Sequence, residues 1–269
     1  MIEKTKKIDR TFIKFSIISG VISFGYAAII ISGFLYKYGE GQYALIGYGI
    51  LFLIAAVWAG PAFKTINYEK KDMLSLGKVF KSVNKRIFIF CFIVFIQSFA
   101  AGPMWDFIIP MYCYNVLMIT PAVLGVLMSM DELIGGPTFI IAGHIVDKIN
   151  TVKFNVVFII LTAVCGFFII RSKTLVPFII MFLICSVSIS CTFVGIPKQR
   201  IAYVNKKQKG FELALISVCG SLGYIIGNKV YGGIAEKYSI EQSLMIFVIC
   251  YLLMAGLILL PSALKIRKE

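Results

Sequence analysis

Four ionisable residues, Asp106, Asp131, Glu132 and Lys229, stand inside long runs of apolar sequence. If those runs cross a bilayer, each charge costs roughly 2.5 to 3.5 kcal/mol to insert, which makes each a candidate for function. Asp131 and Glu132 lie farthest from the ends of their run, where a carboxyl can bind a proton or a cationic solute. Neighbours on a helix point about 100° apart, so the pair cannot aim at one partner. The plainer reading is a protonated or paired carboxyl at a helix interface. Lys229, beside Asn228, can pair with one of these carboxylates, attract an anion, or snorkel to the membrane surface, and the snorkel is favoured. Asp106 follows Trp105 near one end of its run, the depth of an aromatic belt; the alternatives are a gate or a substrate contact.

Other chemistry finds little to work with. The seven cysteines, Cys91, Cys113, Cys165, Cys185, Cys191, Cys219 and Cys250, lie in or beside apolar runs without CxxC spacing, so they read as buried thiols rather than disulfides or metal ligands. The sole histidine, His144, builds no metal site alone. No nucleophile elbow, phosphate-binding loop or redox pair is present in the sequence, and neither an enzyme nor a cofactor is expected.

The elements that must position these residues are set by composition. Of 269 residues 59% are hydrophobic and 15% charged, where a soluble domain carries about 25% charged residues. The mean hydropathy is +0.90. A helix needs about 20 apolar residues to span the hydrocarbon. Eight such runs are predicted, at approximately 12–36, 43–63, 87–112, 121–142, 154–170, 176–196, 211–235 and 242–264. They are too long and too unbroken for barrel strands. The basic N-terminus leads into an apolar run longer than a cleaved signal's, so span one is expected to stay in place.

The net charge of +14 sits in short clusters between these runs, the pattern of a membrane protein and not of a nucleic-acid groove. Threading the spans alternately puts 22 of the 27 Lys and Arg residues on the side of the N-terminus and four on the other, with Lys229 left inside a span. Positive charge collects on the cytoplasmic side, so both termini are expected to be cytoplasmic. The longest polar stretch, 64–86, separates two spans from six.

The first two spans resemble the last two. Ser19, Ser23, Gly25 and Tyr26 match Ser217, Ser221, Gly223 and Tyr224; after a two-residue slip, Gly33, Lys37, Tyr38, Gln42 and Pro61 match Gly233, Lys237, Tyr238, Gln242 and Pro261. A repeat at this period means that one structural unit is used twice. If spans seven and eight end a six-helix unit, spans one and two end another unit, whose first four helices are not in the sequence.

Together with the motif GHIVDKIN after span four, this organisation resembles the major facilitator superfamily, whose two halves are parallel six-helix repeats. Gly143, Asp147 and Lys148 fit that family's G-x-x-x-D-[RK]-x-G loop, and Asn150 stands where glycine is usual. Gly135, Gly136 and Pro137 and the run Gly220 to Gly227 are also family-like, with Gly223 and Gly227 spaced for close helix packing. The resemblance implies an all-α membrane bundle equivalent to helices five to twelve: 1–63 the end of the first repeat, 64–86 a central cytoplasmic loop, 87–269 the second repeat. It implies that Asp147 bonds a neighbouring helix N-terminus as a conformational gate, and that the cavity is lined here by spans three and six.

The function so implied is transport of a small solute, with or without a proton, by alternating access across the plasma membrane. A second chain or copy would supply the missing helices. The alternatives are a non-transporting scaffold or sensor subunit, or an inactive fragment. Pro103, Pro110 and Pro137, with Gly102, are expected to interrupt spans three and four as a hinge, a solute path or a plain kink.

Overall fold

The computed structural model describes residues 83, 85–205 and 208–260. Spans one and two, most of the 64–86 loop and the residues from 261 on lie outside that set. The described residues are helical, and six of their helices are long and apolar enough to cross a membrane. Two compact units divide the chain inside the span-four helix, after Glu132; the larger comprises 74–119 and 133–269.

Span three is not one helix. It runs as α1 (Lys85–Pro103), a π-helical turn (Met104–Ile108) and α2 (Ile109–Asn115). The cause is local. Pro103 has no N–H to give to the preceding turn and its ring crowds it, and the ladder resumes when the Ile109 N–H donates to the Met104 carbonyl, five residues back. Pro110 then occupies the first turn of α2, where a missing donor is harmless.

Span four is α3 (Pro121–Lys148), which runs unbroken through Pro137. It also continues through Gly143 to Lys148, so the motif expected as a loop is the last turns of a helix. Nothing from Gly143 to Lys148 stops a helix, and the ladder runs on to the Ile149 N–H, bonded to the Ile145 carbonyl at 3.2 Å. Asn150 makes the break: in an extended conformation it caps α4 (Thr151–Arg171), accepting from the Val152 and Lys153 N–H groups at 3.0 and 3.2 Å. The residue that departs from the family pattern is thus a helix cap.

The remaining spans are α5 (Leu175–Ile201), α6 (Lys209–Lys237) and α7 (Ile240–Leu257). The larger unit is cored where α4, α5 and α7 meet. Phe178, Phe182, Phe247 and Tyr251 are fully buried there, and Gly166 lets the Phe247 ring approach α4 to 2.8 Å of where a Cβ would sit. Trp105 stacks on Phe182 and Phe247, at centroid distances of 5.3 and 6.4 Å, so its ring packs against the bundle. Some of the polar groups in this core are paired, while among the described residues Asn155 Oδ1 and the Tyr251 hydroxyl are buried without a partner. Asn155 Nδ2 donates to Gln199 Oε1 at 2.7 Å, and Gln199 Nε2 to the Ile258 carbonyl at 3.1 Å.

Candidate functional site

The second seam of the larger unit joins α1 to α6 through glycine. A Cβ on Gly223 would strike the Phe95 carbonyl, and one on Gly227 the Phe99 carbonyl, with Pro103 Cγ 3.0 Å away. Gly220 is less close: a Cβ there would lie 3.1 Å from Val94 Cγ1 and 3.2 Å from Ser98 Oγ. Backbone lies against backbone over about one turn, from Gly223 to Gly227, the contact that small residues permit in lipid.

That close approach creates a polar contact farther along the seam. The Tyr224 ring lies over Gly102, where any side chain would collide with it. Its hydroxyl donates to Asp106 Oδ2 at 2.6 Å. Asn228, one turn on along α6, lies beside the same phenol. Asp106 belongs to the π turn, and such turns widen a helix and recur at functional sites. All three groups are at least partly open to the surface, with Asp106 and Tyr224 exposed. A carboxylate, a phenol and an amide thus converge between two membrane-spanning helices, held by Gly102, Gly223 and Gly227.

Of the residues singled out in the sequence, the structure brings only Asp106 into this group; Tyr224 and Asn228 join it. The Ser-x-x-x-Ser-x-Gly-Tyr pattern of span seven was visible, but nothing in it said that Tyr224 would reach span three. Lys229 is exposed on another face of α6. Asp131 and Glu132 follow one another on α3, half-buried and exposed respectively.

The motif residues form a separate cluster at the opposite end of the helices. Lys198 of α5 makes an ion pair with Asp147 and donates to the Val146 carbonyl at 2.6 Å. Its ammonium therefore sits on the last carbonyls of α3, at the negative end of the helix dipole. Among the described residues the partner of Asp147 is this side chain and no helix N-terminus. Gly143 has open space around it, with nothing within 4 Å of a Cβ, and Lys148 is exposed. A cavity of about 350 Å³ adjoins the cluster, lined in part by Asn150, Thr151, Lys198 and Tyr203.

The cavity lining expected from span six is not what α5 presents. Ser186, Ser188, Ser190 and Thr192 are buried. Ser188 donates to the Ile184 carbonyl at 2.8 Å, Thr192 donates to the Ile189 carbonyl at 2.7 Å, and Gln97 of α1 donates to Thr192 at 3.3 Å. Ser188 and Thr192 thus spend their protons on their own helix, and Thr192 alone also ties α5 to α1. Among the described residues no three metal-ligating side chains cluster.

Comparison with known proteins bears on this arrangement. A family model described as Major Facilitator Superfamily matches residues 13–228. A crystal structure of a bacterial homologue of the iron transporter ferroportin, in an outward-facing state, superposes with a TM-score of 0.66 over 87% of this chain at 11% sequence identity. That likeness is one of fold. This chain spans 59% of that protein. No curated protein sequence matches significantly.

Proposed function

Because this chain belongs to the Major Facilitator Superfamily, we propose that it serves the secondary transport of a small solute by alternating access, in the cell membrane with both termini cytoplasmic. The observation that carries the proposal is the Asp106–Tyr224 contact. A carboxylate at the π turn of one membrane helix meets a phenol on another, at a seam open to the surface. Insertion costs work against leaving such a group in a lipid-facing helix without a use. A helix interrupted at Pro103 also has a natural place to bend.

The six described spans form the second repeat in this reading, and spans one and two the end of the first, with 64–86 the connection between them. The chain spans 59% of the solved relative, and a second chain or copy that adds helices to the solute path is part of the proposal. Asp131 and Glu132 are proposed as a second polar station, for solute or proton. Asp147 with Lys198 is proposed as the gate at the motif end.

The experiment is a thermal-shift screen of the purified chain against small solutes, alone and with a supplied four-helix fragment, followed by uptake into proteoliposomes. Binding and uptake that Asp106→Asn abolishes support transport. Indifference of every binding signal to Asp106→Asn, or no binding in either format, overturns it in favour of a scaffold or sensor subunit.

A further inference from the structure

The α6 helix divides its circumference three ways. At about 100° per residue, Gly220, Gly223 and Gly227 fall on one side, the side packed on α1. Val218, Leu222, Ile225 and Ile226 fall on another and are exposed, between 44% and 63%. Between these faces, Ser217, Ser221, Tyr224 and Asn228 recur at helical spacing within an arc of about 60°. Ser217, Ser221 and Tyr224 are exposed and Asn228 is half-buried. The exposed half of the helix is therefore split. Its apolar arc, which also carries Lys229, suits lipid and a snorkelling ammonium; its polar arc does not.

The hydrogen bonds give this arc a chemical character. Ser217 donates to the Leu213 carbonyl at 3.0 Å and Ser221 to the Ser217 carbonyl at 3.2 Å. Each hydroxyl thereby spends its proton on its own helix and turns lone pairs outward. Tyr224 spends its proton on Asp106. What remains facing outward is the lone pairs of Ser217, Ser221 and Tyr224, with the neutral Asn228 amide beside them and a carboxylate as the only formal charge. Such a face favours cations and hydrogen-bond donors over anions.

From this geometry we propose that the polar arc of α6, with Asp106 at its end, lines a water-filled path for a small cationic solute, and that span seven takes the lining role expected of span six. The proposal rests on the transport reading for its use, though its test does not require transport. Span six is unsuited to the task because its own hydroxyls are buried in the bundle.

The test is thiol labelling of the full chain in proteoliposomes, in a background where Cys219 of the same helix is replaced by alanine. Ser217→Cys and Ser221→Cys probe the polar arc; Val218→Cys and Leu222→Cys probe the apolar arc. The reagents are membrane-impermeant methanethiosulfonates, one carrying a trimethylammonium group and one a sulfonate. Only a hydrated thiol ionises and reacts readily, so both serine positions should label at least about tenfold faster than Leu222→Cys. The cationic reagent should outpace the anionic one at Ser221→Cys by about tenfold, and Asp106→Asn should remove that preference. Equal, slow labelling on both arcs overturns the path. Fast labelling with a charge preference unaltered by Asp106→Asn overturns the cationic solute. Labelling as expected in a chain that takes up no solute would keep the path while removing the transport reading.

Discussion

The Tyr224 hydroxyl meets Asp106 Oδ2 at 2.6 Å, and this bond ties the π turn of span three to the middle of span seven. The two residues are 118 positions apart in sequence. Tyr224→Phe keeps the ring over Gly102 and removes the bond, so it should reduce solute binding while leaving the helix seam intact. In a double-mutant cycle of thermal stability with Asp106→Asn, the coupling should be about 1 kcal/mol, the scale of interhelical hydrogen bonds in membranes. Additive effects would show that the bond contributes nothing in the membrane.

The glycine seam predicts a graded steric series. Gly223→Ala and Gly227→Ala place a methyl against the carbonyls of Phe95 and Phe99, which cannot move aside alone. Each should cost about 1 to 3 kcal/mol as overpacking, seen as a lower melting temperature in detergent. Gly256→Ala, with nothing within 4 Å, should be neutral or slightly stabilising. Equal effects at all three positions would refute backbone contact at the seam.

The pair Lys198 and Asp147 is partly exposed, so its loss should change stability by no more than about 1 kcal/mol. Its expected effect is on conformational exchange. Asp147→Asn should alter uptake or the accessibility of the adjoining cavity far more than it alters the melting temperature. Because Lys198 also sits on the Val146 carbonyl, the exchanged pair Asp147→Lys with Lys198→Asp should rescue only in part. Full rescue would show that charge pairing alone matters.

Asn150 caps α4, which predicts that Asn150→Ala costs about 1 kcal/mol and that Asn150→Gly costs only a few tenths. Thermal melts of the two variants decide it. A larger penalty for glycine would mean that the side chain serves something other than the helix terminus.

Gln199 bridges Asn155 and the Ile258 carbonyl between α4, α5 and α7, beside the cavity at the motif end. Gln199→Leu strands both partners and should cost about 1 to 3 kcal/mol, more than Gln199→Glu if the carboxyl stays protonated. An unchanged melting temperature would place water in that core.

Some of this was legible in the sequence. The described spans fall where the apolar runs fall, because hydrocarbon thickness and backbone satisfaction leave a chain this apolar no other arrangement. Pro103 marked the break in span three, since a proline's missing donor acts wherever it stands. Pro137 did not break span four, and the motif after it proved helical up to Asn150. A short polar stretch was read as a loop there, although polar residues continue a helix readily until something caps or stops it.

What the sequence determined by itself is therefore the membrane environment, the positions of the six described spans and the family, all of which follow from residue type summed along one dimension. The tertiary structure alone decided which groups meet. It stacked Trp105 on Phe182 and Phe247, buried the hydroxyls of span six, gave Asp147 to Lys198 and set Tyr224 on Asp106. The physical reason is that a helix in lipid is nearly apolar on every side, so its rotation is not written in its own periodicity. Rotation is settled by where backbones can approach, here over Gly223 and Gly227, and that is a property of two helices together.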